Sequence, residues 1–167
     1  MNNELKKNRK LSANMEDYLE AIAVLKKNTG VARVKDIGKL LNVKSPSVNS
    51  AINALSIAGM VVHEHYGYVN LTKEGKEAAQ SVMERHEAMA KFLTVILDMD
   101  REMAEEDACK MEHSISKEGF QRLLKLMDFI KECHEGEQPE WLKRFHQYIK
   151  TGELLPCSIK EKEETKG

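Results

Sequence analysis

Apolar positions recur at helical spacing over most of the chain, and the segments they mark are separated by clear stop signals. In "MEDYLEAIAVLKKN", Tyr18, Ile22 and Leu25 form one stripe. Ser12 is placed to cap this helix and Gly30 to end it. "RVKDIGKLLNV" predicts a short helix with Ile37, Leu40 and Leu41 turned inward. "KSPSV" opens the next, with Ser45 as cap and Pro46 in the first helical position, where a missing N–H costs nothing. Val48, Ile52, Leu55 and Ile57 supply its apolar content, and Gly59 stops it. The period then changes. "MVVHEHYGYVNLT" is rich in β-formers and breaks at Tyr66–Gly67, which predicts two strands joined by a turn. Thr72 caps a long helix to about Leu97, with the stripe Ala79, Val82, His86, Met89, Leu93 and Ile96. Asp100 caps a helix through His113, and Ser116 caps another that ends near "HEGEQP". Pro139 opens a last short helix, and "SIKEKEETKG" is charged, lacks aromatics and is expected to be disordered.

The order helix, short helix, tight turn, helix, hairpin is that of a winged helix-turn-helix. The expected fold is therefore mainly α: a winged helix over residues 1–73, an all-helical domain over 74–152, and a charged tail over 153–167. The length of 167 residues suffices for one domain or for two small subdomains sharing a core. No apolar run approaches the roughly 18 residues of a membrane span, and "MNNELKKNRK" is basic without the apolar stretch of a secretory signal. The cysteines, Cys109, Cys133 and Cys157, are odd in number and widely spaced. They argue against a disulfide framework and for a reducing, cytoplasmic location. Cys133 and Cys157 read as ordinary thiols, or as a second redox or metal element with His134 or His146.

Charge adds a gradient that the net value of −1 hides. Residues 1–50 carry 10 basic against 5 acidic side chains, and residues 76–167 carry 15 against 20. A basic front suggests a polyanionic partner. The predicted recognition helix starts with small polar residues, Ser45, Pro46, Ser47, Asn49 and Ser50, which let its N-terminus approach phosphates and base edges. Arg33, Lys35, Lys39 and Lys44 surround it. The expected partner is double-stranded DNA, the alternative a protein bound on the same face. His63 and His65 alternate on one strand face, and wing-surface or phosphate-facing roles are favoured over a metal pair.

The back half carries a second constellation. In "DACKMEHSIS", Cys109, Glu112 and His113 fall at i, i+3 and i+4 on one helical face. Thiolate, carboxylate and imidazole together suit a first-row transition metal better than Mg²⁺ or Ca²⁺. One helix cannot complete such a shell. Asp17 and Glu20 form another i, i+3 pair, and His86 interrupts an apolar stripe. Each residue taken singly also reads as an ordinary core or surface residue. Together they would bury several polar groups at once, which is costly unless something pairs them.

"LSANMEDYLEAI", "VKDIGKLLNVKSPSVN", "LTKEGKEAA", "RHEAMAKFL" and "DACKMEHSIS", in this order, resemble the diphtheria-toxin-repressor family of metal-dependent regulators, which includes a manganese-transport branch. The resemblance covers roughly residues 11–130. It implies a homodimeric repressor with an N-terminal winged helix, a helical dimerisation domain, and a corepressor metal bound between them. Its ligands fall on Asp17, Glu20, His86, Cys109, Glu112 and His113, and its DNA-reading turn on Lys44 to Ser50. Iron-type members have Met and Cys at the positions of Asp17 and Cys109, whereas manganese-type members have carboxylates at both. This chain has one of each, which leaves Mn²⁺ and Fe²⁺ open, with Zn²⁺ or Co²⁺ expected in vitro. Ala90 stands where iron-type members carry a glutamate of an ancillary site, and the chain is short for the family's SH3-like third domain. Two rivals remain at this point: a two-metal hydrolase or oxidase in a helical bundle, and a metal-independent winged-helix regulator.

Overall fold

The computed structural model describes residues 11–64, 67–132 and 138–154. His65, Tyr66, Cys133, His134, Cys157 and the charged tail from residue 155 lie outside them. The elements are α1 (Ala13–Thr29), α2 (Val34–Leu40), α3 (Ser45–Ile57), β1 (Val61–His63), β2 (Val69–Leu71), α4 (Lys73–Val95), α5 (Arg101–Met111), α6 (Lys117–Glu132) and α7 (Glu140–Thr151).

The caps explain most boundaries. Ser12 Oγ accepts from Met15 N, and Gly30 closes α1 in the left-handed region. Thr72 accepts from Gly75 N, Asp100 from the amides of Glu102 and Met103, and Ser116 from Gly119 N. One cap differs from the sequence expectation. The N-cap of α3 is Lys44, without a side-chain bond, so Ser45 is the first helical residue and Pro46 the second. Proline is tolerated in the first turn, where backbone N–H groups have no partner within the helix, so Pro46 fits the second position. Leu40, expected to turn inward, is 51% exposed, and Ile57 at the end of α3 is 84% exposed. Ile57 stands two residues past Leu55, about 200° round α3 and so opposite the stripe of Val48, Ile52 and Leu55, and Leu40 is the last residue of α2, one step off the face of Ile37.

The strands pair antiparallel, Val61 with Leu71 and His63 with Val69. A bridge between Arg33 and Tyr68 ties the hairpin to the α1–α2 loop, and Val69 N donates to Ala32 O at 2.9 Å. Gly75 permits the next junction. A Cβ there would sit 1.9 Å from the Met60 carbonyl oxygen, so the first turn of α4 can cross β1 only as glycine.

The core forms two clusters. The first joins Tyr18, Leu19, Ala21 and Ile22 of α1 to Ile37, Val48, Ile52, Leu55, Val61, Val69 and Ala79. The second joins Met89, Ala90 and Leu93 of α4 to Ala104 and Ala108 of α5. Helix α4 contributes to both and is the strut between the halves. By contrast α6 buries none of its side chains, and Phe129 on it is 64% exposed. No helix among the described residues is long and apolar enough to cross a membrane.

Candidate metal centre and DNA-binding face

The first turns of α1 and the end of α5 meet over the middle of α4. Asp17 lies one turn inside α1, the residue before two buried core positions, so the register that seats Tyr18 and Leu19 also carries Asp17 to the α5 side. Glu112 is the C-cap of α5 and keeps helical angles, so it retains the expected spacing although the helix ends at Met111.

Asp17, Glu112 and His113 bring one ligand atom each within 4.8 Å of one another. His113 Nε2 lies 2.8 Å from Asp17 Oδ1 and 3.2 Å from Glu112 Oε1. Neither approach has hydrogen-bond geometry, because Glu112 Oε1 and His113 Nε2 are buried without a hydrogen-bond partner among the described residues. Glu112 is 1% exposed, the one charged side chain in the described core. A buried carboxylate oxygen and a buried ring nitrogen left without hydrogen bonds beside Asp17 cost a few kcal/mol unless a cation joins them. The donor set therefore fits a divalent metal.

Electrostatics agree. Burial pushes the Glu112 carboxyl up to about 7, and the Glu20 charge adds to this. Burial likewise raises Glu20. For His86 and His113, burial alone would lower the imidazole, but the surrounding carboxylates outweigh it and both are raised. Such a site holds excess negative charge and retains protons in its place.

His86 stands beside this group, with Nδ1 2.8 Å from Glu112 Oε2. Cys109 is exposed and outside the convergent set, and burial, with Glu112 next, raises its thiol. Three residues not singled out from the sequence also take part. Glu105 Oε2 lies 2.7 Å from His86 Nε2, Glu16 Oε2 lies 2.8 Å from His113 Nδ1, and Arg85 Nη2 donates to Glu16 at 2.8 Å. Spacing held a signal for Glu105, which continues the Cys109–His113 face one turn back. Glu16 and Arg85 gave none beyond adjacency to Asp17 and His86.

On the other side of the front half, Lys44, Ser45, Pro46, Ser47, Asn49 and Ser50 are all exposed, while Val48 between them anchors the helix in the core. Lys35 and Lys39 are exposed on α2. Arg33 is also exposed but engaged: Nη2 donates to Tyr68 Oη at 2.9 Å, and the guanidinium lies 5.1 Å from that ring's centroid. Lys26 donates to Asn70 on β2, whose amide donates to Glu64. The hairpin is thus held to α1 and α2 by polar contacts as well as by Val69.

Comparison with known proteins fits this architecture. Residues 10–69 match the family described as the iron-dependent repressor N-terminal DNA-binding domain. Residues 72–140 match its metal-binding and dimerisation domain. An uncharacterised HTH-type transcriptional regulator of Methanocaldococcus jannaschii is 35% identical over 73% of this chain and 98% of its own length. The HTH-type transcriptional regulator MntR of Lysinibacillus sphaericus is 34% identical over 71% and 84%. The crystal structure of T. acidophilum IdeR is 26% identical with a TM-score of 0.63, over 90% of this chain and 66% of that one. The chain belongs to the iron-dependent repressor family, whose members are metal-dependent, DNA-binding transcriptional regulators and not enzymes.

Proposed function

We propose that this regulator is a homodimeric repressor of metal-homeostasis genes, with Mn²⁺ or Fe²⁺ as corepressor held between α1 and the α4–α5 pair. The observation that carries this reading is the convergence of Asp17, from the DNA-binding half, with Glu112 and His113 from the other half. Asp17, Glu112 and His113 would hold the metal, with His86 and Glu20 beside them and Cys109 within reach of their charge. When bound, the cation supplies the positive charge that three carboxylates and two imidazoles lack. Glu112, buried and costly as an isolated anion, then becomes a tie between α5 and α1. Asp17 transmits that tie to α1, and α1 shares its apolar core with the recognition helix α3.

Metal and dimer act together in this reading. Two half-sites one turn apart require the recognition helices about 34 Å apart. The exposed apolar side chains of α6 and α7, Phe129 and Trp141 among them, fit a second copy of the chain. Fixing α1 selects one of the accessible separations. Lys44 to Ser50 would meet the operator in the major groove, with Arg33 and Lys35 on the flanking phosphates. The oxygen-rich convergent set of Asp17, Glu112 and His113 favours Mn²⁺, whereas the Cys109 thiol at its edge would favour Fe²⁺. A regulator that acts on genomic DNA, like the transcriptional regulators it resembles, works in the cytoplasm, the location this reading implies.

The test is a gel-shift titration of the DNA upstream of the protein's own gene, run with Mn²⁺, Fe²⁺, Zn²⁺ and chelator. Shifted DNA at lower protein concentration with Mn²⁺ or Fe²⁺ than with chelator is the expected result. Equal affinity in all four would leave a metal-independent regulator.

A further inference from the structure

Each histidine of the site has one ring nitrogen on the convergent group and the other on an outer carboxylate, and the two do so in opposite senses. His113 turns Nε2 to Asp17 and Glu112 and Nδ1 to Glu16. His86 turns Nδ1 to Glu112 and Nε2 to Glu105. We propose that Glu16 and Glu105 are positioning residues that hold the outer N–H of each ring, so that His113 meets the metal through Nε2 and His86 through Nδ1. The inference rests on the metal reading above.

A neutral imidazole has one donor and one acceptor nitrogen, and a metal takes the acceptor. The bond at the far nitrogen therefore decides which nitrogen faces the metal. Glu16 suits this task and not ligation, because the same oxygen that faces His113 also accepts from Arg85. Arg85 is itself fixed, with Nε donating to the Glu112 carbonyl at 3.1 Å and Nη1 to Ser81 Oγ at 3.1 Å. Glu105 is more exposed, and its other neighbour, Arg101, stands 3.8 Å away on the same helix. The clamp on His113 is therefore the tighter of the two. It is also the one that crosses between halves, since Glu16 belongs to α1. Ordering of His113 thus depends on α1 being docked, whereas ordering of His86 is internal to α4 and α5.

The test uses the full chain with ¹⁵N-labelled histidine, loaded with ¹¹³Cd²⁺, and reads which ring nitrogen couples to cadmium and which carries the proton. His86→Gln assigns the signals. The expected result is coupling at Nε2 of one histidine and at Nδ1 of the other, with protons on the opposite nitrogens. Glu16→Gln should weaken Cd²⁺ binding about 10- to 100-fold, and Glu105→Gln by less, with circular dichroism of the metal-free protein unchanged. Coupling through the same nitrogen in both rings would overturn the proposal, as would Cd²⁺ affinity within twofold of wild type in Glu16→Gln. Binding of Cd²⁺ with such a pattern leaves the metal site itself standing, whereas no binding at all removes the site and this inference together.

Discussion

Helix α1 packs on its two partners with two different chemistries. Toward α2, α3 and the hairpin it presents Tyr18, Leu19, Ala21 and Ile22, all buried. Toward α4 and α5 it presents Glu16, Asp17 and Glu20, which meet Arg85, His113 and the buried Glu112. The apolar face needs nothing but water to drive it together, and its strength does not depend on which ions are present. The charged face gathers more carboxylates than cations, so its closure depends on what else is bound. The apolar contact of α1 extends to Ala79 at the start of α4, and the charged contact lies beyond it, over the end of α5; in the proposed reading only this second contact changes with the metal.

The strongest way to break the apolar side is Leu19→Ala. Removing a fully buried leucine side chain should cost about 2–5 kcal/mol in urea unfolding. The loss should be the same in Mn²⁺ and in chelator; a loss confined to one condition would mean that the two faces are not separate. On the charged side, His86→Ala should leave circular dichroism unchanged and remove metal stimulation of DNA binding. The loss expected is about 1–3 kcal/mol, as for typical couplings between sites. Full metal dependence in that variant would end its assignment to the site.

The charged face also sets a pH response. Glu112 titrates near 4.5 unfolded and at about 7 folded, so its ionisation opposes folding increasingly from pH 4.5 and fully above 7. The raised His86 and His113 act in the same direction, because their stabilising contribution is present below 6.5 and fades as pH rises through their folded values. Metal-free protein should therefore lose stability from about pH 4.5 to 7 through Glu112 and above 6.5 through the histidines, by at most about 1.4 kcal/mol per pH unit for each proton released. Thermal melts across pH 5–8 would show this, and saturating Mn²⁺ should reverse the slope, since the ligands bind it deprotonated. The smallest effect sharpens the wing. Tyr68→Phe removes one exposed hydrogen bond to Arg33, and DNA affinity should fall by less than about 1 kcal/mol.

The two faces differed in how far they could be read from sequence. Tyr18 and Ile22 repeat at helical spacing, and such periodicity is a local property, so the apolar face and most caps were legible. Leu40 departs from the expected inward face because a helix of two turns leaves two adjacent leucines with room for one of them in the core. Asp17, Glu112 and His113 were legible as chemistry, yet their meeting depends on α4 holding residues nearly a hundred positions apart. Glu16 and Arg85 were missed for the same reason: an exposed-looking Glu-Asp pair and an Arg-His pair acquire a role only when α1 and α4 cross. Cys109 keeps the i, i+3, i+4 spacing to Glu112 and His113 and is the exposed member of that face, a property that spacing does not report.

The central claim is that metal binding and the DNA-competent arrangement of α1 are one equilibrium. It is tested most directly by the Mn²⁺ affinity of the full chain measured with and without the upstream DNA. Linkage requires the two ligands to strengthen each other by the same factor. Mn²⁺ should bind at least tenfold more tightly in the presence of the DNA, about 1.4 kcal/mol. The same Mn²⁺ affinity with and without it would mean that metal binding and DNA binding are separate equilibria.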